Sequence, residues 1–222
     1  MVKFDAKKYA STIKILALAI GQFMKQEEAK SQTMKIDISK SIHENKIESA
    51  KLKAGEIVRM RVRCEAMESL KLYVEQLSYD VPLLERSIPT IPEHLVPIVS
   101  AIVFSSGYFA IKQLHELADM IKSTYGKKWF EEALSSSSKA SIEFKDKVTF
   151  ILPTQIQIDT IIEEVKEFDQ KRNQLVENYK AFQKSDGPDV PGPPSGNNNG
   201  NSGNGGAVDD EIEAMRKRLA SL

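Results

Sequence analysis

Apolar residues early in the chain fall on one helical face. Tyr9, Ile13, Leu16, Ile20 and Phe23 recur at spacings of 4, 3, 4 and 3, and Met34, Ile38 and Ile42 extend the stripe. That rhythm matches the 3.6-residue period of a helix and not the two-residue period of a strand. Asn45, within the HENK stretch of residues 43–46, predicts a tight turn. A second long helix is predicted from Ile47 to about Tyr79. It offers Ala50, Ala54, Ile57, Cys64, Met67, Leu70, Val74 and Leu77 for burial. Two helices of roughly 30 to 38 residues would form an antiparallel hairpin about 45–57 Å long at ~1.5 Å per residue. Helices of that length are unusual in compact domains and common in rods and assembling proteins.

Pro82, Pro89, Pro92 and Pro97 then punctuate the chain, and each is expected to end or begin a short helix. Pro92 suits the first turn of a helix running through Phe104. Gly107 precedes another, predicted from Tyr108 to Tyr125, with Phe109, Leu114, Leu117 and Ile121 for burial and Gly126 as its stop. Lys127–Leu134 reads as a short helix and residues 135–138 as a polar loop. The VTFIL run at 148–152 has strand-like residues but no partner strand, so it reads as an extended segment packed on helices. After Pro153 a last long helix is predicted from Gln155 to Phe182, faced by Ile158, Ile161, Ile162, Val165, Phe168, Leu175 and Tyr179.

The pattern changes at residue 185. Gly, Pro, Asn and Ser dominate residues 185–208, a composition that buries too little apolar surface to fold. Such a tether has a root-mean-square reach of roughly 25–30 Å. Beyond it, DDEIEAMRKRLASL at 209–222 is again amphipathic: Ile212, Met215, Leu219 and Leu222 are spaced 3, 4 and 3. Asp209, Asp210 and Glu211 suit the start of a helix, where the backbone N–H groups and the dipole favour negative charge. An isolated helix this short is marginal in water. A tethered one with an unburied stripe is expected to seek a groove on another protein. The fold class expected is therefore all-α: a long antiparallel hairpin with shorter helices packed along it over residues 1–184, a disordered linker at 185–208 and an amphipathic helix at 209–222.

Composition narrows the function classes. The chain of 222 residues has a formal net charge of zero, but the charge is uneven. Residues 1–64 carry 14 Lys/Arg against 7 Asp/Glu; residues 65–184 carry 14 against 18, and residues 185–222 carry 3 against 6. A basic end with an acidic remainder predicts either an anionic surface as partner or contact between copies of the chain. Lys7, Lys8, Lys14, Lys25, Lys30, Lys51, Lys53, Arg59 and Arg63 are the residues expected to face a membrane or an acidic protein surface, each worth about 1 kcal/mol near acidic lipid head groups. A nucleic-acid partner is not expected, because the basic stretch has few interleaved aromatics and no recognisable binding module. Cys64 is the single cysteine; it excludes an internal disulfide and fits a reducing compartment. ILALAI at residues 15–20 is too short to span a bilayer and continues as part of a helix, so a cytosolic protein is expected.

Catalytic chemistry finds little to stand on. No phosphate-binding glycine loop, metal-spaced His or Cys cluster or nucleophile motif occurs, and His43, His94 and His115 are far apart in sequence. Glu131–Glu132 and Glu163–Glu164 are adjacent pairs, which diverge by about 100° on a helix and read as solvated. Cys64 reads as a half-buried side chain and Trp129 as packing. No enzyme activity, cofactor or metal is expected.

Residue order in the tail is more specific than its composition. Met215, Arg218, Leu219 and Leu222 spell M-x-x-R-L-x-x-L, which resembles the first type of MIT-interacting motif, the L-x-x-R-L-x-x-L helix at the C-terminus of ESCRT-III proteins. Met215 stands where that motif has Leu, an apolar and unbranched exchange. The core is similar to the increased-sodium-tolerance family of ESCRT-III-like proteins, most clearly in SAKLKAGEIVRMRVRCEAMESLKLYVEQL at 49–77 and more loosely over residues 3–182. The resemblance implies an ESCRT-III-like helical core that binds ESCRT-III subunits and membranes and takes part in assembly, self-assembly included. It implies that Asp210, Glu211, Ile212, Met215, Arg218, Leu219 and Leu222 engage the MIT domain of the pathway's AAA ATPase. It also implies recruitment to endosomal membranes for sorting, scission or remodelling. A basic helical rod that binds another polyanion or the cytoskeleton, with an autoinhibitory tail helix, is the alternative that the residues leave open.

Overall fold

The computed structural model describes residues 4–135 and 137–185, with side chains to residue 181. Among them the chain forms seven α-helices: α1 Ala6–His43, α2 Ile47–Ser87, α3 Val96–Ser106, α4 Lys112–Tyr125, α5 Lys127–Leu134, α6 Ile142–Val148 and α7 Gln155–Ser185. The chain divides into two units, Met1–Val176 and Glu177–Leu222; the described part of the second is the last stretch of α7.

The predicted hairpin is present. Asp5 caps α1 by accepting the Lys8 N–H at 3.0 Å. Its other end turns at Asn45, whose φ of 57° is one that asparagine tolerates better than most side chains. The inward face of α1 is the stripe read from sequence: Tyr9, Ile13, Leu16, Ile20 and Ile38 are buried, with Phe23, Met34 and Ile42 packed partly against them. On α2, every expected core position is buried except Cys64, which is half-buried.

Four boundaries differ from expectation. α2 does not stop before Pro82 but continues to Ser87 with the proline inside it. The turn beyond the proline buries Val81 and Leu84, and this packing outweighs the backbone hydrogen bond that proline cannot make. Pro92 does not open the next α-helix. It precedes a 3-10 turn at Glu93–Leu95, and Pro97 occupies the first turn of α3. α4 begins at Lys112, because residues 107–111 form a turn that buries Phe109 and Ile111. Val148 ends the unforeseen helix α6, which Ser141 caps by accepting the Phe144 N–H at 3.3 Å. Only part of the expected extended segment packs: Phe150 is half-buried, while Ile151 and Leu152 are exposed.

Two apolar clusters form along the hairpin. The larger, at its open end, joins Tyr9–Ile20 of α1 and Ala66–Leu84 of α2 with α3, α4, Ala133 of α5 and Phe144 of α6. The smaller lies toward the turn and joins Ile38, Ala50, Ala54, Ile57 and Val58 with Ile161 and Val165 of α7. Gly126, with φ 92°, gives the chain its corner between α4 and α5.

Candidate functional site

Glu27 lies between the two clusters. It sits on the core stripe of α1 and is only 4 % exposed. Its Oε2 accepts from Arg63 Nε at 3.0 Å and Nη2 at 2.8 Å, and its Oε1 accepts from Lys30 Nζ at 3.1 Å. Arg63 Nη2 also donates to Glu56 Oε1 at 3.0 Å, and Arg59 Nε donates to Glu56 Oε2 at 2.7 Å. The result is a chain of alternating charge through the middle of the hairpin. Burial pushes the Glu27 carboxyl up, but the hydrogen bonds from Arg63 and Lys30 outweigh it and hold the group below its ordinary value. Glu56 is held low in the same way, by Arg59 and Arg63 against its own burial.

This network sorts the basic residues expected at an anionic surface. Arg59 and Arg63 are turned into it, and Arg59 Nη1 also reaches the Ile151 carbonyl at 3.4 Å. Lys30 is tied to Glu27, and Lys51 to Glu48 of its own helix at 3.0 Å. Lys53 Nζ donates to Ser41 Oγ at 3.1 Å and to the Asp37 carbonyl at 3.4 Å, closing the hairpin near its turn. Lys7, Lys8, Lys14 and Lys25 remain exposed on α1 and make no ion pair among the described residues. Of the nine basic residues expected at an anionic surface, the exposed and unpaired ones therefore lie on the first half of α1.

Glu163–Glu164 also needs correction as a solvated pair. Glu163 pairs with Lys166 on the surface, but Glu164 accepts both Arg61 guanidinium nitrogens, Nη1 at 2.8 Å, and lies 3.8 Å from Lys35 Nζ. The hydrogen bond from Arg61 holds its carboxyl low against burial. Five residues further on, Asp169 accepts from the Ser39 hydroxyl and lies 3.6 Å from His43 Nε2. α7 up to Val176 is thus held on the turn end of the hairpin by two acidic side chains as well as by Ile161 and Val165.

Sequence reasoning missed Glu27, Glu56, Glu164 and Asp169. A signal existed for the first: Glu27 interrupts the apolar stripe of α1, Arg63 interrupts that of α2, and the two are equally far from Asn45 along the chain. Antiparallel packing brings them to the same height. The Glu164 and Asp169 contacts depend on how α7 lies on the hairpin, which no periodicity specifies.

Cys64 is half-buried, and burial followed by the nearby Glu27 carboxylate pushes its thiol up, away from the thiolate a nucleophile needs. Burial likewise pushes the Tyr9 hydroxyl, bonded to Thr124 Oγ1 at 2.9 Å, up to about 12. Trp129 is half-buried beside Tyr125. Among the described residues no group of His, Cys, Asp and Glu side chains could hold a metal, and no helix is long and apolar enough to cross a membrane. Asp210, Glu211, Ile212, Met215, Arg218, Leu219 and Leu222, with the linker before them, lie outside the described residues.

A family model described as Ist1, regulator of Vps4 activity in the MVB pathway, matches residues 11–171. No curated protein matches the chain. Among solved structures the fold is similar to the N-terminal domain of S. cerevisiae Ist1, crystallised in complex with a Did2 MIM motif. The TM-score is 0.68 at 15% identity, covering 76% of this chain and 93% of that one.

Proposed function

The chain belongs to the Ist1 family of regulators of Vps4 activity in the MVB pathway, and from that premise we propose that it is a non-enzymatic adaptor between ESCRT-III assemblies and their AAA ATPase. Its core binds ESCRT-III subunits and anionic membrane, and its tail binds the ATPase's MIT domain. The observation that carries this reading is the tail sequence. M-x-x-R-L-x-x-L at 215–222, led by Asp209–Glu211 and preceded by a Gly- and Asn-rich tether, stands behind a core of this family.

Physical chemistry assigns the roles. Met215, Leu219 and Leu222 fill the apolar groove between MIT helices, with Ile212 one turn earlier. Arg218 pairs with an acidic group on the domain, and Asp210 and Glu211 stabilise the first turn. Four apolar side chains give roughly 6–12 kcal/mol gross at about 1.5–3 each, and ordering the helix offsets several of these. A micromolar dissociation constant, near −8 kcal/mol, follows. Many such tails on one assembly add avidity without new contacts. An ESCRT-III subunit as partner of the core is supported by the similar yeast domain, which was crystallised with a Did2 motif. Lipid contact falls to Lys7, Lys8, Lys14 and Lys25, and the site of action is the endosomal membrane.

Titration of the full chain, of Leu219→Ala and of the chain lacking residues 209–222 against a Vps4-type MIT domain tests the reading. Leu219→Ala is expected to weaken binding by tenfold or more, with the helical circular dichroism of the core unchanged; the deletion is expected to abolish binding. Undiminished binding of the truncated chain would overturn the tail assignment.

A further inference from the structure

The outer face of α2, at the open end of the hairpin, carries apolar side chains into water. Met67, Leu70, Val74, Leu77, Val81 and Leu84 form the inner face of this stretch and are buried. On the opposite side Leu72, Gln76, Tyr79 and Leu83 recur at spacings of four, three and four, so they form one stripe. Tyr79 is 84% exposed, Leu72 65% and Leu83 37%. From Leu72 to Leu83 the stripe is about 17 Å long at ~1.5 Å per residue, about three turns of helix. Large apolar side chains aligned in this way mark a contact surface, unlike hydrophobic residues scattered singly.

Acidic side chains border the stripe: Glu68 and Glu75 along one edge, Glu65 and Asp80 toward the other. Glu68 and Asp80 make no ion pair among the described residues. Glu75 and Glu65 meet Lys71 and Lys147 only loosely, each at 3.8 Å. The backbone adds an acceptor. Pro82 is exposed and has no N–H to give the Ser78 carbonyl one turn earlier, so a carbonyl without its helical donor sits next to Tyr79.

Carboxylates and an open carbonyl around an apolar stripe call for positive donors around an apolar complement. An anionic bilayer and a nucleic acid are both repelled by the carboxylates. A helix with its own stripe at three- and four-residue spacing, edged by Lys or Arg, matches every part. Its apolar side chains cover Leu72, Tyr79 and Leu83, and its cations reach the carboxylates and the Ser78 carbonyl. We propose that the outer stripe of α2 from Leu72 to Leu83 docks a basic amphipathic helix of a partner protein. Tyr79 is the anchor, because an aromatic ring with two torsions offers large contact area at low entropic cost. The acidic border sets partner choice and association rate, while the apolar stripe sets how long the complex lasts. This surface goes beyond the adaptor reading: it uses neither the tail nor the exposed lysines of α1.

Fluorescence anisotropy with the full chain tests the proposal. The probes are two labelled peptides about 18 residues long, enough for a stable helix. Both have leucines spaced four and three; one is edged with arginine and its twin with glutamate. The arginine peptide should bind, less tightly at high salt, and the glutamate peptide should not. Glu68→Lys with Asp80→Lys should weaken the arginine peptide about tenfold or more and admit the glutamate peptide, an exchange of preference that a misfolded chain cannot produce. Leu72→Ser with Tyr79→Ser should also weaken binding about tenfold or more, with circular dichroism unchanged because both side chains are exposed. Glu163→Lys with Glu167→Lys makes the same change in charge on the exposed side of α7 and should leave binding unaltered. Absence of binding, indifference to the loss of Leu72 and Tyr79, or an equal loss in the α7 variant would overturn the proposal. Two other occupants are separable. Binding at least tenfold tighter to the chain lacking residues 209–222 would give the stripe to the chain's own tail. A dimer in sedimentation that Leu72→Ser with Tyr79→Ser abolishes would give it to a second copy. Either result overturns the proposal.

Discussion

At the open end of the hairpin, Leu16, Leu70 and Leu77 are enclosed by α3, α4 and α6 in one large apolar cluster. Toward the turn, Ala50, Ala54 and Ile57 meet α7 across a cluster of seven buried residues, three of them on α7 and α1. The first end is held by apolar burial, which is non-directional and tolerates no water. The second combines a small apolar contact with Arg61–Glu164 and Ser39–Asp169, which fix where α7 lies. Stability is concentrated at one end and positional definition at the other, and the Glu27–Arg63 pair sits where the two regimes meet. Elements at the low-stability end are those that open first under local fluctuation. The difference between the ends can be measured.

The largest expected effect is at the junction. Arg63→Ala leaves the carboxylate of Glu27 buried with Lys30 as its remaining partner, and breaking a buried pair on one side costs about 3–5 kcal/mol. Urea unfolding should show the loss in the midpoint with the slope unchanged. Acid should act on the same network, and separately on Glu164, which Arg61 holds on α7. Glu27, Glu56 and Glu164 all have folded-state values lowered from the ordinary 4.5. Such groups contribute stability above 4.5, and it is lost as pH falls through their folded values. The wild-type midpoint should therefore fall below pH 4.5, and Arg63→Ala should flatten that dependence. A variant as acid-sensitive as wild type would show that the network is not where the ends are coupled.

Next in size is a matched pair of truncations. Leu70→Ala at the open end removes a fully buried side chain amid well-packed neighbours and should cost about 2–5 kcal/mol. Val165→Ala, as buried but against one helix pair, removes two methyl groups and should cost about 1–2 kcal/mol at ~0.8 each. The more telling readout is hydrogen exchange. Leu70→Ala should raise exchange throughout the described core, whereas Val165→Ala should raise it in residues 155–176 and leave α3 and α4 protected. Uniform acceleration by both variants would erase the distinction between the ends.

Much of this was legible in the sequence for a physical reason. A helix that buries one face repeats that face along the chain, so the stripes from Tyr9 to Ile42 and from Ala50 to Leu77 predict both long helices and most of their core. Turn chemistry at Asn45 and Gly126 placed two corners. What failed to show was whatever depends on a distant partner. Pro82 reads as a stop until the burial of Val81 and Leu84 is known, and α6 is too short to display a period. Arg59 and Arg63 look like surface charge until Glu27 and Glu56 are placed beside them. Basic residues were countable in sequence, but their division into internal and exposed sets was not. The tail motif is the opposite case, since its meaning lies in local residue order.

The smallest effect tests why α7 approaches the turn end at all. Gly55 lies in the middle of α2, where glycine costs about 0.5–1 kcal/mol relative to alanine. It is buried beneath Pro153 and Ile158, which suggests a glycine needed for close approach. The distances argue otherwise. A Cβ at this position would meet Pro153 Cγ at 3.7 Å and Ile158 Cδ1 at 3.8 Å, both ordinary van der Waals contacts. Gly55→Ala should therefore fit without displacing the lead-in to α7. It should stabilise the protein by about 0.5–1 kcal/mol through reduced freedom of the unfolded chain. Gly55→Leu, with three more carbons directed at the same two side chains, should instead lift residues 153–158 and raise hydrogen exchange in α7 while the open end stays protected. Destabilisation by alanine as well would mean that the turn end tolerates no added atom, and that its packing is as tight as that around Leu70.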